Sequence, residues 1–276
     1  MKPAPFDMAR PDSLSAAHQA LQGNGIDAKP LGGGQSLGPM LNLRLARPDR
    51  LVDMTAIAGL TTMRDTKTHV EIGAAVTHAR IEDGDCPEPI SGMLRHVAGG
   101  IAYRAVRNRG TIGGSLCHAD PAADWVSAMT VLGAVLIVAG PSGNREIPMA
   151  GFMQGAYRTA LAPDEILTTI RIPKYSNSAR WGYYKICRKV GEFADAIATF
   201  VADPETRTCR VVFGATGGAP LLCPVIASHL ATTGTPASAA MVGQALRESG
   251  YELSEVRLHQ LAIAHRRSVL EGLADD

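Results

Sequence analysis

Aromatic side chains are scarce, at 5% of 276 residues, and the cysteines are few and scattered. Cys86, Cys117, Cys187, Cys209 and Cys223 include no C-x-x-C pair. Such a set argues against a disulfide framework, a structural zinc site and an iron–sulfur cluster carried by this chain. Neither sign of charge is in excess: 27 Lys and Arg face 26 Asp and Glu, a formal net charge of +1. Nucleic acid and anionic membranes are accordingly not expected as partners. Residues 1–10 hold no apolar segment of the signal-peptide kind, so a cytoplasmic protein is expected. The longest apolar run, 128–139, is too short to span a bilayer and reads as a buried helix followed by a strand. Internal repeats and low-complexity segments are missing as well. What remains is a globular composition, 46% hydrophobic and 19% charged, long enough for two or three compact units.

Periodicity orders the chain. Leu14, Ala17 and Leu21 share one helical face, Asp12 or Ser13 can cap it, and Gly23 and Gly25 end it. A strand over 28–31, a glycine run, a helical piece over 37–45 and a strand over 51–54 make a strand–loop–helix–strand unit. Residues 70–74 read as a strand, Thr77 caps a short helix, and 93–106 suits a longer one. Asp120-Pro121 supplies a helix start, with Asp as N-cap and Pro at the first helical position. Strands over 134–139 and 145–148 flank the turn Pro141-Ser142-Gly143-Asn144, and 165–172 is a further strand. The polar stretch 174–178 marks a boundary. Beyond it, antiparallel strands over 183–188, 196–202 and 208–213 precede helices over 224–231, 236–248 and 255–270, the pattern of an α+β unit.

Glycine-rich loops carry the chemistry. Gly32-Gly33-Gly34-Gln35-Ser36 follows a strand, and its glycines allow a sharp turn and close approach of a ligand to the backbone. Consecutive amides in such a turn form a nest for an anion such as a pyrophosphate, with Ser36 adding a hydroxyl and Gln35 an amide. A tight turn without a ligand is an equally good reading of this run alone. The nicotinamide fingerprint G-x-G-x-x-G fails, because its third glycine falls on Leu37, despite Asp53 at a tempting distance downstream. A P-loop fails too, since no Gly-Lys-Ser/Thr follows. Thr111-Ile112-Gly113-Gly114-Ser115 repeats the same grammar. A pair of such loops favours one shared diphosphate ligand, with Arg107 and Arg109 available to balance its charge, although solvated arginines are the commoner outcome. Cys117, His118 and Asp120 crowd together, but adjacent residues rarely converge on one reacting atom or metal, and Asp120 reads better as a helix cap. Asp124 can accept a hydrogen bond from a ligand hydroxyl, and Lys185 can reach across the boundary to a ligand.

The segment 32–45, GGGQSLGPMLNLRL, resembles the first FAD motif of the medium subunits of molybdenum hydroxylases, and 111–124, TIGGSLCHADPAAD, resembles their second. Members with similar motifs include the FAD subunits of carbon monoxide dehydrogenase and of N-heterocycle hydroxylases and, more distantly, the middle part of xanthine dehydrogenase. Residues 152–173 and the glycine turn GATGGAP at 214–220 extend the resemblance over nearly the whole chain. It implies an α+β protein. The two-subdomain FAD-binding fold of the vanillyl-alcohol-oxidase/PCMH type would occupy 1–55 and 56–175, and a C-terminal α+β domain with a three-stranded antiparallel sheet and helices would occupy 176–276. It further implies FAD contacts from Gly32, Gly33, Gly34, Gln35, Ser36, Leu37, Thr111, Gly113, Gly114, Ser115, Ala119 and Asp124, with Ile101, Leu167 and Lys185 near the flavin end. No residue is implied as catalytic or as a metal ligand. The chain departs from the family pattern at Ser115, where Asn or Asp is frequent, at Gln35, where His is also common, and over 190–195, VGEFAD.

The resemblance implies electron transfer. A large partner subunit would hold a molybdenum–pterin centre and hydroxylate or oxidise an N-heterocycle, an aldehyde, a purine or CO. A small partner subunit would hold two [2Fe–2S] clusters. FAD on this chain would pass their electrons to an external acceptor, within a dimer of heterotrimers. The missing cysteine motifs fit that division of labour. Alternative readings are a self-sufficient FAD oxidoreductase of the same fold, for which no substrate-site acid or covalent flavin anchor stands out, and a non-catalytic assembly subunit whose loops are only turns.

Overall fold

The computed structural model describes residues 2–22, 25–87 and 90–274; Gly23, expected to help end the first helix, lies outside them. The first sheet is parallel, with β1 (Asp7–Ala9), β2 (Ala28–Leu31) and β3 (Arg50–Asp53) in the order β1-β3-β2. Parallel strands need a crossover, and α1 (Leu14–Leu21) supplies it between β1 and β2. The Ser13 hydroxyl caps α1 by accepting from the Ala16 amide, while Leu14, Ala17 and Leu21 join Val52, Met54 and Ile57 in a small core. The first glycine loop leads from β2 into α2 (Leu37–Asn42), whose Leu37, Met40 and Leu41 pack with Leu31 and Leu51. This helix stops short of the expected residue 45, and Arg44 takes a left-handed backbone, φ 56°.

Five helices follow β4 (Met63–Asp65) and β5 (His69–Gly73): α3 (His78–Glu82), α4 (Ser91–Gly99), α5 (Arg104–Arg107), α6 (Ile112–His118) and α7 (Asp124–Val131). Then come β6 (Val135–Gly140), β7 (Gly143–Pro148), α8 (Met149–Phe152), the small hairpin β8 (Met153–Gly155) and β9 (Arg158–Thr159), and β10 (Ile166–Pro173). The antiparallel sheet runs β4-β5-β10-β6-β7. Thr77 caps α3 as its sequence implies, accepting from the Arg80 amide.

Three expectations in this region need correction. The single helix over 93–106 is broken: α4 ends at Gly99, Ala102 takes φ 45°, and α5 restarts at Arg104. Consecutive glycines weaken a helix, and the break finds other hydrogen bonds, from the Ala102 amide to the Gly191 carbonyl and from Arg107 to the Ile101 and Ala102 carbonyls. The helix expected from Asp120 begins instead at Asp124, because the Asp120 carboxylate accepts from the Ala122 amide and closes an Asx turn. The second glycine run, expected as a loop, is the first turn of α6.

The last sheet is antiparallel: β11 (Arg180–Ile186), β12 (Ala196–Asp203), β13 (Thr208–Gly214) and β14 (Leu221–Leu222), in that order. The expected three strands are thus four; the fourth is a two-residue segment, too short to show a pattern. α9 (Pro224–Thr233), α10 (Ala239–Glu248) and α11 (Glu255–Gly272) close the chain. β12 shows how the sheet is held. Its Ile197 and Val201 face the central core, whereas Ala196, Ala198 and Phe200 face the helices through Leu230, Leu246 and Leu261. Both faces are covered, so the strand reads as an almost unbroken apolar run. The central core is shared with α7, whose Trp125, Val126 and Met129 are fully buried. Among the described residues no helix is long and apolar enough to cross a membrane.

Candidate cofactor site

The two glycine runs meet. A Cβ added to Gly32 would lie 3.6 Å from the Gly114 Cα and 2.7 Å from Thr111 Oγ1, and one added to Gly114 would lie 4.0 Å from the Gly32 Cα. A Cβ on Gly33 would overlap the Arg109 carbonyl, and one on Gly113 would stand 2.6 Å from the Ala74 carbonyl oxygen. Gly33 and Gly113 are therefore dictated by backbone lying against backbone, and Gly32 and Gly114 by the Thr111 hydroxyl. Gly34 is different: its surroundings are looser, but its φ of 73° is a conformation that disfavours any side chain.

The partners of the amides separate the two runs chemically. In the second run every early N–H is used: Ile112 donates to the Val76 carbonyl, Gly113 to that of Ala74, Gly114 to Thr111 Oγ1 at 3.1 Å, and Ser115 to the Thr111 carbonyl. In the first run the amides of Gly33, Gly34, Gln35 and Ser36 meet no acceptor among the described residues. Gln35 and Ser36 are exposed, and the Gln35 amide group donates back to the Gly33 carbonyl at 3.1 Å. Ser36 makes no side-chain cap, and the Ser115 hydroxyl has no partner among the described residues. A loop with free donors thus lies beside a second run whose early amides are all paired.

Asp124 and Lys185, far apart in sequence, are brought together. Asp124 opens α7, and Lys185 lies on β11; their side chains are 7% and 9% exposed and form an ion pair of 2.9 Å. Lys185 also donates to the Gly100 carbonyl at 2.8 Å. Tyr183, one step back on the same face of β11, donates its hydroxyl to Asp124 Oδ1 at 2.7 Å. Burial raises the Asp124 carboxyl above its ordinary range, while Lys185 and the Tyr183 hydroxyl act against that rise. Burial beside this carboxylate pushes the Tyr183 phenol well up, so it stays a donor. Tyr183 was not among the residues expected from sequence, yet its two-residue spacing from Lys185 on a strand is a signal that could have found it.

The remaining candidates divide. Leu37 begins α2 and packs with Leu31, Leu41 and Leu51. Ile101 sits at the break between α4 and α5 and bridges to Gly191. Leu167 is 5% exposed on β10, in register with Val138 and in the strand against which α6 packs. Ala119 is fully buried, ends α6 with a φ of 52°, and uses both backbone groups in hydrogen bonds within the chain. Arg107 does not face a phosphate. Its guanidinium donates to both Glu82 carboxylate oxygens, at 2.7 and 2.8 Å. The Arg109 side chain is exposed and forms no ion pair among the described residues, while its carbonyl abuts Gly33. The trio Cys117, His118 and Asp120 forms no metal cluster among the described residues; Asp120 accepts from Tyr157, whose ring lies beside His118.

Below the seam, the Trp125 indole N–H donates to His78 Nδ1 at 3.0 Å, and His78 backs Gly110. Burial, helped by the Arg107 charge, lowers His78 to about 4, so its ring is neutral and can accept. The support of the second run is therefore built from uncharged groups.

Four unpaired amides, hydroxyls from both loops and an exposed arginine are the donors a diphosphate needs, and the close fit of the glycine backbones leaves that lip open. Such a set of donors suits an anionic, diphosphate-bearing cofactor. Comparison with known proteins specifies it. Residues 4–175 match the FAD binding domain in molybdopterin dehydrogenase, and the chain belongs to this family. It is 39% identical over 201 residues to the carbon monoxide dehydrogenase medium chain of Afipia carboxidovorans, covering 73% of this chain and 70% of that one. It is 32% identical to the caffeine dehydrogenase subunit beta of Pseudomonas sp. strain CBB1, over 80% of this chain and 76% of that one. Its fold matches a solved chain of carbon monoxide dehydrogenase from Hydrogenophaga pseudoflava, lacking the Mo-pyranopterin moiety, with a TM-score of 0.87, 30% identity and 99% and 98% coverage. The chain is thus an FAD-binding subunit of an oxidoreductase of the molybdenum hydroxylase family, with the α+β architecture its sequence implied.

Proposed function

We propose that this chain relays electrons within a molybdenum hydroxylase complex. The observation that carries the reading is the seam of the two glycine runs, where Gly32 lies against Gly114 and the amides of Gly33, Gly34, Gln35 and Ser36 that follow it meet no acceptor among the described residues. These amides, with the Ser36 and Ser115 hydroxyls and Arg109, would hold the FAD diphosphate. Thr111 and Gly113 shape the second wall, and Asp124 would accept from a cofactor hydroxyl while Lys185 and Tyr183 fix its carboxylate. Ile101 and Lys185 would border the flavin end, with Leu167 behind them. When bound, FAD supplies reversible electron storage. The residues of this chain place it, screen its charge and control access to it; none is asked to transfer a group.

The complex around it follows from the same reading: a large molybdenum-pterin subunit that oxidises substrate, a small subunit with [2Fe–2S] clusters that deliver electrons, and a dimer of heterotrimers in the cytoplasm. In this reading residues 1–55 and 56–175 are the two FAD subdomains and 176–276 the C-terminal domain that carries Lys185 to the site. The test is the visible spectrum of the complex purified with its partners, together with a Gly114→Val variant. A complex reconstituted with FAD that shows no flavin bands defeats the proposal. Loss of flavin with assembly intact in the variant supports it, and flavin content equal to wild type in the variant favours a purely architectural subunit.

A further inference from the structure

Three consecutive carbonyl oxygens, those of Gly100, Ile101 and Ala102, are each held by a side-chain cation. Lys185 Nζ donates to the first at 2.8 Å, and Arg107 Nη1 donates to the second at 2.9 Å and to the third at 2.8 Å. Both cations are largely enclosed, the Arg107 side chain being 12% exposed and that of Lys185 9%. Both are also anchored from behind. Lys185 pairs with Asp124, and Arg107 spans the Glu82 carboxylate with Nε and Nη2. The amides of the turn are equally committed, Ile101 donating to the Ala98 carbonyl and Ala102 to that of Gly191. Gly191 presses so close that a Cβ there would stand 2.8 Å from the Ala102 carbonyl oxygen. Ala102 itself sits at φ 45°, a backbone state that persists only where the surroundings over-determine it.

We propose that Arg107 is a positioning residue of the flavin site. With Lys185 it fixes the turn 100–102, and that turn sets both the placement of Ile101 and the orientation of the Lys185 ammonium beside Asp124. The inference rests on the FAD reading above. A lysine at 107 keeps the charge but cannot span a carboxylate and two carbonyls at once, because it lacks the planar fork. The perturbation therefore falls on the flavin end and leaves the diphosphate loop untouched.

The test uses the full complex, stripped of flavin and retitrated with FAD, as wild type, Arg107→Lys and Glu82→Gln. Glu82→Gln weakens the anchor of Arg107 and decides the matter if Arg107→Lys does not accumulate. The expected result is FAD binding weakened about tenfold in the variants, the fold-change of one charge-assisted hydrogen bond, with displaced visible flavin bands. The melting temperature of the flavin-free complex should stay near that of wild type. Variants that melt lower while binding FAD with wild-type affinity and wild-type bands would show Arg107 to be only a staple between α5 and α3, and would overturn the proposal. So would variants that match wild type in every respect. A wild-type complex that binds no FAD would instead sink the FAD reading, and this inference with it.

Discussion

Gly33→Ala is the sharpest perturbation of the seam. The added methyl would overlap the Arg109 carbonyl and lie 2.6 Å from the Gly110 Cα, where 3.4–4 Å is ordinary contact. The obstacle is backbone, which cannot rotate away, so the loops must part by roughly an ångström or more. Overpacking of this kind costs about 1–3 kcal/mol, and the rigidity of the neighbour puts Gly33→Ala toward the upper end. Two glycines nearby serve as internal comparisons. Gly34→Ala meets only Leu31 Cδ1 at 3.4 Å, so its cost is that of a left-handed alanine, about 1–2 kcal/mol. Gly38→Ala meets nothing within 4 Å inside α2 and should gain about 1 kcal/mol of helix propensity. Urea denaturation gives the stability order, and flavin absorbance per chain gives occupancy. The expected order of both is Gly38→Ala at or above wild type, then Gly34→Ala, then Gly33→Ala with little flavin. A Gly33→Ala protein with full flavin and wild-type stability would refute the account of the seam, as would a Gly38→Ala protein damaged as badly as Gly33→Ala.

Three further outcomes are expected. Burial lowers His78 and His265 from 6.5 to about 4, so the unfolded chain binds more protons between those values; stability from both is complete above about pH 6.5 and falls toward pH 4, by up to about 3 kcal/mol each. A urea midpoint that stays flat or rises as pH drops from 7 to about 4.5 contradicts this. Lys185→Met leaves the Asp124 carboxylate buried without its cation and should cost about 3–5 kcal/mol, whereas pairing it with Asp124→Asn should recover part of that loss in denaturation measurements. Tyr183→Phe deletes one donor to the same carboxylate and should cost about 1.5–3 kcal/mol, with flavin binding weakened in a fluorescence titration; wild-type affinity would remove Tyr183 from the site.

Much of the architecture was legible because each element carries a local signal. The Ser13 and Thr77 caps, the helical face of α1, the partial alternation of β10 and the apolar run of β12 all lie in short windows. What escaped depends on distant partners. The break after α4 is held by Gly191 and Arg107. β1, β4 and β14 are two or three residues long and exist through the strands they pair with. Asp120 carried a cap signature but spends its carboxylate on an Asx turn, a competition between two local uses that sequence alone leaves open. Arg107 was available as a phosphate partner or a solvated arginine because it precedes the second glycine run; Glu82, which claims it, lies on α3. Asp124 and Lys185 were each singled out, but only the fold shows that they pair with one another.

The seam also changes what a glycine run is evidence for. Gly33 and Gly113 are forced by backbone against backbone and Gly32 is crowded by the Thr111 hydroxyl, so their lack of a side chain is favoured with or without a ligand. The signal for a ligand lies in the amides. Four consecutive N–H groups without an acceptor among the described residues, in a loop that exposes Gln35 and Ser36, are free to be shared by one anion. The neighbouring run satisfies all of its own and so gives that loop a fixed backing. Under the proposed FAD reading the asymmetry gives the runs different work, which their matching sequences conceal: the first would bind and the second brace. It follows that substitutions in the second run should act on flavin through the spacing of the loops, whereas changes at Gln35 or Ser36 should act through the donors themselves. Ser36→Ala is then expected to weaken FAD binding without moving the urea midpoint, while Gly113→Ala moves both together. Equal effects of the two substitutions on stability would return the runs to the equivalence that their sequences first imply.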